Sequence, residues 1–206
     1  MKITNIEPQR NKNRVNIYVD NVFSIGIEDE LRFKYNLRVG MEVTDEFIKD
    51  ILKVEEQNKV TSHALNLLSY RQRSEKEIYM ALKRKNFEDI YISKAIDYCK
   101  ENNYINDKAF AEAFVKDKVN LNKLGPERIK YELILKGVSK DIIDSVLVLD
   151  RDDQYEMALE LAIKKLNSYK NDDKNSIYRK LSGFLQRKGY SYDIISKVMN
   201  EALRDR

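Results

Sequence analysis

The 206-residue chain holds one cysteine, Cys99, and one histidine, His63. A lone cysteine excludes an intrachain disulfide, and with a single histidine no zinc site can be assembled from Cys and His ligands. Tryptophan is absent, and six glycines with two prolines are few for this length, the composition of a helix-rich protein. No run of about 18 apolar residues occurs, so no transmembrane helix is expected. The start, Met1-Lys2-Ile3-Thr4-Asn5, lacks the apolar region of a signal peptide, and the expected location is the cytoplasm.

What is present is charge and a repeat. Charged residues make up 35% and apolar residues 42%, enough for a substantial core under a heavily charged outside. A shift of 51 positions carries Ile78, Leu82, Lys85, Ile92, Ala95 and Ile96 onto Ile129, Leu133, Lys136, Ile143, Val146 and Leu147. A further 52 reaches Leu181, Leu185, Lys188, Ile195, Val198 and Met199. A period of this length marks a supersecondary unit that buries its apolar face against its neighbours. Net charge is only +4, but it is uneven: residues 151–206 carry 12 Lys/Arg against 9 Asp/Glu, and 174–192 contain no acid at all.

The first 50 residues read differently. Ile3, Ile6, Val15, Ile17, Val19, Val22, Phe23, Ile25 and Ile27 alternate with period two, and Asp20-Asn21 is a hairpin signal. A small antiparallel sheet is predicted, then a short helix and turn over 31–40, then a helix opened by Thr44 or Asp45. Each repeat reads as three helices. Ser74 with Glu77 is a capping box. Gly125-Pro126 starts the second helix of repeat two, and Gly137 ends it in the left-handed conformation. The phrase Lys136-Gly137-Val138-Ser139 returns as Lys188-Gly189-Tyr190-Ser191, a glycine stop, an apolar anchor and a serine cap, with Asn86 in the glycine position of repeat one. A loop is predicted over 171–175. The expected architecture is mainly α: residues 1–60 as a small β-sheet domain with a linker helix, and three-helix repeats over 61–107, 108–150 and 151–206 in an elongated curved array.

Particular runs carry a resemblance. Leu68-Ser69-Tyr70-Arg71-Gln72-Arg73-Ser74-Glu75-Lys76-Glu77-Ile78, Tyr104-Ile105-Asn106-Asp107-Lys108-Ala109-Phe110-Ala111, Gly125-Pro126-Glu127-Arg128-Ile129 with Glu132-Leu133 and Lys136-Gly137-Val138, and Phe184-Leu185-Gln186-Arg187-Lys188-Gly189-Tyr190 stand in this order. Together they make the chain resemble the RecX family, regulators of the RecA recombinase, over residues 61–206. Lys118 stands where that family usually has arginine, and Asn86 where it usually has glycine. The resemblance implies a curved helical-repeat protein with no catalysis of its own that lies along the RecA filament on single-stranded DNA; no cofactor is expected, and the expected state is a monomer. It implies inhibition of ATP turnover and strand exchange, in DNA repair and the SOS response.

Candidate contacts for filament or DNA are Arg71, Arg73, Lys83, Arg84, Lys85, Arg128, Lys136, Arg179, Lys180, Arg187 and Lys188, which recur on or beside the second helix of each repeat. Any one of them also fits a solvated helix face or a cation on a helix C-terminus. Tyr70, Tyr79, Tyr131, Tyr178 and Tyr190 lie beside these cations and can stack on a base, but the reading favoured for each is a tyrosine packing its ring with a wet hydroxyl. Asp152-Asp153 and Asp172-Asp173 read as caps and loops, not Mg²⁺ ligands. His63 reads as a cap-region residue near a helix start and Cys99 as a buried small hydrophobe. Neither a catalytic set nor a metal site is expected. The alternative is an autonomous helix-turn-helix-like DNA-binding protein, and a phosphodiester-processing enzyme is disfavoured because no carboxylate constellation exists.

Overall fold

The computed structural model describes residues 1–10, 13–169 and 172–204. The chain divides into two compact units, Met1–Tyr70 with Tyr79–Tyr104, and Arg71–Ile78 with Ile105–Arg206.

In the first unit, β1 (Ile3–Pro8), β2 (Arg14–Val19) and β3 (Val22–Glu28) form an antiparallel sheet in the order β1-β2-β3. Asp20 and Asn21 take φ of 48° and 68°, the two left-handed positions that a two-residue hairpin turn demands. Pairing of Ile17 with Ile25 and Val15 with Ile27 puts the alternating apolar residues on one buried face. A short helix α1 (Asp29–Lys34) and a left-handed Gly40 lead to α2 (Asp45–Tyr70), capped by Thr44, whose hydroxyl accepts the Phe47 N–H.

The sheet packs on the first turns of α2, where Ile51 joins its core. Glu55 is buried beside them, held by Arg14 at 2.7 Å and by the Glu28 N–H at 3.0 Å. Farther along, Val60 and Ala64 are buried, and α2 packs against α4 (Asp89–Glu101). The expected fresh helix start near residue 61 is therefore corrected. Residues 45–70 contain neither glycine nor proline, so nothing interrupts the helical hydrogen bonds. His63 lies in mid-helix with its ring 5.4 Å from that of Phe87, not at a cap.

α3 (Glu75–Lys83) contributes to both units. The second unit continues with α5 (Asp107–Asn122), α6 (Pro126–Leu135), α7 (Lys140–Val146), α8 (Arg151–Leu166), α9 (Lys174–Lys188) and α10 (Tyr192–Ala202). Phe110, Val115, Ile129, Leu133 and Ile143 centre one core, and Ala158, Leu181, Leu185, Ile195 and Val198 the other. Among the described residues the fold is mainly helical, three strands and ten α-helices.

Caps follow the predicted chemistry with one exception. Ser139 accepts the Ile142 N–H, but the Ser191 hydroxyl bonds to Asp193 instead of capping α10. Of the predicted loop 171–175, Asn171 lies outside the described residues, and Asp173 is already the N-cap of α9, accepting the Ser176 N–H at 3.0 Å.

Successive second helices in the second unit meet end to start. The Gly125 N–H donates to the Lys188 carbonyl at 2.9 Å and the Glu127 N–H to the Gly189 carbonyl at 3.2 Å. A Cβ on Gly125 would lie 2.3 Å from the Gly189 oxygen. One repeat earlier, the Ser74 hydroxyl donates to the Lys136 carbonyl at 2.6 Å, and a Cβ on Gly137 would lie 2.5 Å from Lys76. The recurring glycines thus permit two close docking joints, besides ending helices.

Candidate functional site

Arg71, Glu77 and Lys136 converge at the first joint. The Ser74 hydroxyl accepts the Glu77 N–H at 3.2 Å and Glu77 Oε2 accepts the Ser74 N–H at 3.4 Å, completing the capping box. The same carboxylate receives Arg71 Nη1 and Nη2 at 3.0 and 3.3 Å and Lys136 Nζ at 2.8 Å. Burial pushes the Glu77 carboxyl up, but the Arg71 and Lys136 hydrogen bonds and charges outweigh it and bring it down to about 2 from 4.5. Beside this cluster opens a cavity of about 350 Å³ lined by Arg71, Gln72, Phe110, Ala113, Phe114, Asp117 and Lys136. Lys136 Nζ stands 5.7 and 5.4 Å from the Phe110 and Phe114 ring centres.

A second cluster lies on α5 and α6. Glu132 holds Arg128 at 2.9 Å and Lys118 at 3.2 Å. Burial raises the Glu132 carboxyl, and its bonds to Arg128 and Lys118 more than reverse that. Lys118 also sits 5.0 Å from the Phe114 ring centre. Where an arginine would fork, the ammonium still spans both partners as a point charge.

The remaining candidates sort by partner. Lys83 pairs with Asp89 at 2.9 Å, Lys180 with Asp172 at 2.9 Å, and Arg84 Nε donates to the Met80 carbonyl at 3.1 Å. Lys188 Nζ donates to the Asn122 carbonyl at 2.9 Å and so ties the second joint. Arg73 is half-buried. Among the described residues no acid pairs with Lys85, Arg179 or Arg187, and all three are exposed. Arg71, Arg128, Lys136 and Lys188 are thus tied to a carboxylate or a carbonyl of the fold, while Lys85, Arg179 and Arg187 face solvent without an acidic partner among the described residues. Exposed pairs such as Lys83–Asp89 are screened by solvent and weak, so a phosphate can take their cations.

Tyr70, Tyr131 and Tyr178 are exposed, whereas Tyr79 donates its hydroxyl to Asp89 at 2.8 Å. Tyr190 packs its ring, as the favoured reading expects, but its hydroxyl is not wet: only 3% exposed, it donates its hydroxyl to the Lys123 carbonyl at 2.9 Å and offers no face to a base. Asp152 and Asp153 occupy the first turn of α8, giving their N–H groups to Asp150. Among the described residues no three His, Cys, Asp or Glu side chains gather to hold a metal. No helix there is long and apolar enough to cross a membrane. Glu77 and Glu132 were not among the predicted contacts; the capping box and the four-residue spacing from Arg128 were the only local signals of them.

Comparison with known proteins bears on all four segments of this fold. Residues 1–44 match the Regulatory protein RecX N-terminal domain, and 62–99, 106–147 and 152–199 match the first, second and third three-helix domains of RecX. The chain is 43% identical over 203 residues to "Regulatory protein RecX" of Clostridioides difficile (strain 630), covering 98% of this chain and 95% of that one. The chain belongs to the RecX family.

A RecX relative from Clostridium botulinum (strain Eklund 17B / Type B) is 40% identical over 206 residues, 98% of this chain and 96% of its own. A crystal structure described as regulatory protein RecX superposes with a TM-score of 0.76 at 28% identity, covering 100% of this chain and 99% of that one. RecX from Lactobacillus salivarius gives 0.65 at 34% identity, over 73% of this chain and 99% of its own. The stretch of α2 between residues 44 and 62 lies between the matched RecX segments.

Proposed function

We propose that this RecX-family chain inhibits a RecA-type recombinase by lying on its filament on single-stranded DNA, slowing ATP turnover and strand exchange. The observation that carries the reading is the outer surface of α9. Arg179 and Arg187 stand exposed without acids, Lys180 and Lys188 flank them, and residues 174–192 contain no carboxylate. Such a surface attracts phosphate through counterion release, with no need for base-specific contacts. Stacked three-helix repeats, each presenting its second helix, suit a partner that is itself a repeating polymer. The binding residues are Lys83, Arg84 and Lys85 in repeat one and Arg179, Lys180, Arg187 and Lys188 in repeat three. Arg71 and Lys136 meet on Glu77 at the first joint, and Arg128 is held by Glu132.

The test is the DNA-stimulated ATPase of preassembled recombinase on single-stranded DNA, titrated with substoichiometric protein. The expected result is inhibition well below one protein per recombinase subunit, weakened at least tenfold when Arg179, Lys180, Arg187 and Lys188 are all changed to Ala, as four lost phosphate contacts require. No inhibition even at excess protein refutes filament regulation and favours the autonomous DNA-binding alternative.

A further inference from the structure

The cavity beside Glu77 combines features that a purely structural ion pair does not need. Two cations from different helical segments meet on one carboxylate, and the pocket next to them has two phenylalanine rings in its wall and Gln72 and Asp117 at its rim. Phe114 is half-buried, with its ring centre 6.0 Å from that of Phe110. We propose that this cavity is a nucleotide subsite for single-stranded nucleic acid, with the Glu77 carboxylate holding the place of a phosphate until one arrives.

The inference rests on the nucleic-acid part of the proposed function and names one place where the strand engages. Arg71 presents a fork to Glu77 through both terminal nitrogens, the geometry by which guanidinium binds a phosphodiester equally well. Lys136 supplies the second charge at 2.8 Å. An incoming phosphate draws both cations toward the cavity mouth. The adjacent base, unstacked in a single strand, packs against the half-buried ring of Phe114, which the buried Phe110 backs. At about 350 Å³ the space lies within the range of small-ligand sites, roughly 300–1,000 Å³.

Asp117 favours a nucleotide over an acidic side chain, because its carboxylate accepts hydrogen bonds from base N–H groups, whereas acidic side chains carry only acceptors. Gln72 supplies both a donor and an acceptor to the same edge.

Glu77→Gln and Phe114→Leu separate this role from that of a joint. Both proteins are titrated by fluorescence anisotropy with a short oligothymidylate, with an abasic oligonucleotide of equal length and with polyglutamate, over a salt series. Glu77→Gln lowers the melting temperature because a joint loses its charge, yet it binds oligothymidylate about threefold or more tightly. Its log–log salt slope is steeper by about 0.7 for each phosphate gained on a single strand. Phe114→Leu keeps an apolar side chain at this half-buried position but removes the ring face, and it weakens oligothymidylate binding about fivefold while leaving the abasic strand unchanged.

If Glu77→Gln binds no more tightly with an unchanged salt slope, or Phe114→Leu affects both strands alike, the subsite is refuted. Equal tightening toward polyglutamate refutes it also, since the site is then a general anion trap. The α9 quadruple variant is measured in parallel. Loss of oligonucleotide binding there, with no response at Glu77, overturns the subsite alone. No oligonucleotide binding by the unaltered protein overturns the subsite whether or not the recombinase ATPase is inhibited, and that ATPase result decides the wider reading separately.

Discussion

Gly189→Ala tests whether the repeats are joined backbone to backbone. Gly189 has φ of +92°, and its added methyl would lie 2.3 Å from the Arg128 nitrogen and 2.4 Å from the Arg128 Cβ. The left-handed conformation alone costs alanine about 1–2 kcal/mol. Relief of the clash must separate α9 from the start of α6, because backbone atoms cannot rotate aside as a side chain does. The separation breaks the Gly125-to-Lys188 and Glu127-to-Gly189 hydrogen bonds, each worth about 0.5–1.5 kcal/mol. The sum is about 2–5 kcal/mol, a large share of the 5–15 kcal/mol typical of a whole protein. Gly183→Ala is the internal control. Gly183 lies within α9, where a Cβ meets only Arg187 Nη1 at 3.4 Å, so alanine there stabilises by about 1 kcal/mol through helix propensity. Urea unfolding followed by far-ultraviolet circular dichroism measures both. If Gly189→Ala lies within about 1 kcal/mol of the unaltered protein, the docking argument is wrong.

Three further outcomes follow from single side chains. Glu77 has a folded pKa of about 2 against 4.5, so its stabilisation is complete above pH 4.5 and disappears as pH falls toward 2; the protein should lose about 2–3 kcal/mol over that window relative to Glu77→Gln, measured by urea unfolding at pH 5 and pH 2.5. Tyr190, pushed up to about 12 by burial and then by Glu160, should be missing from the early phase of an ultraviolet tyrosine titration, and Tyr190→Phe should cost about 1 kcal/mol by leaving the Lys123 carbonyl without its donor. Cys99 is fully buried and its thiol is raised by burial, so a thiol-disulfide reagent should label it only at the rate of opening, with a burst on adding denaturant; immediate labelling of the native protein would contradict the packing of α4.

The sheet, the second and third repeats and most caps were legible because each is written in local periods and caps. Ser74 and Glu77 stand three apart and do what that spacing promises. The long α2 was harder to read: a start is expected near His63, yet the preceding residues carry no breaker, and tertiary packing on both sides keeps the helix going. The cation set was only half legible. Arg179 and Arg187 are as exposed as their acid-free surroundings imply, but Lys136 and Arg71 meet a carboxylate that belongs to another repeat or another turn. Nothing in a one-dimensional spacing reports that Lys136 lies 59 positions from its partner. Tyr190 shows the same limit, since its acceptor is a carbonyl 67 residues away.

The continuity of α2 has a mechanical consequence. At 1.5 Å per residue its 26 residues form a rod about 39 Å long, gripped at one end by the sheet and farther along by α4. A flexible linker would let the sheet swivel and absorb any pull, whereas bending this rod means breaking helical hydrogen bonds between two buried anchor points, Glu55 and Val60, only five residues apart. Force applied to the sheet by anything that grasps it is therefore delivered undiminished to the first repeat, as through the handle of a lever.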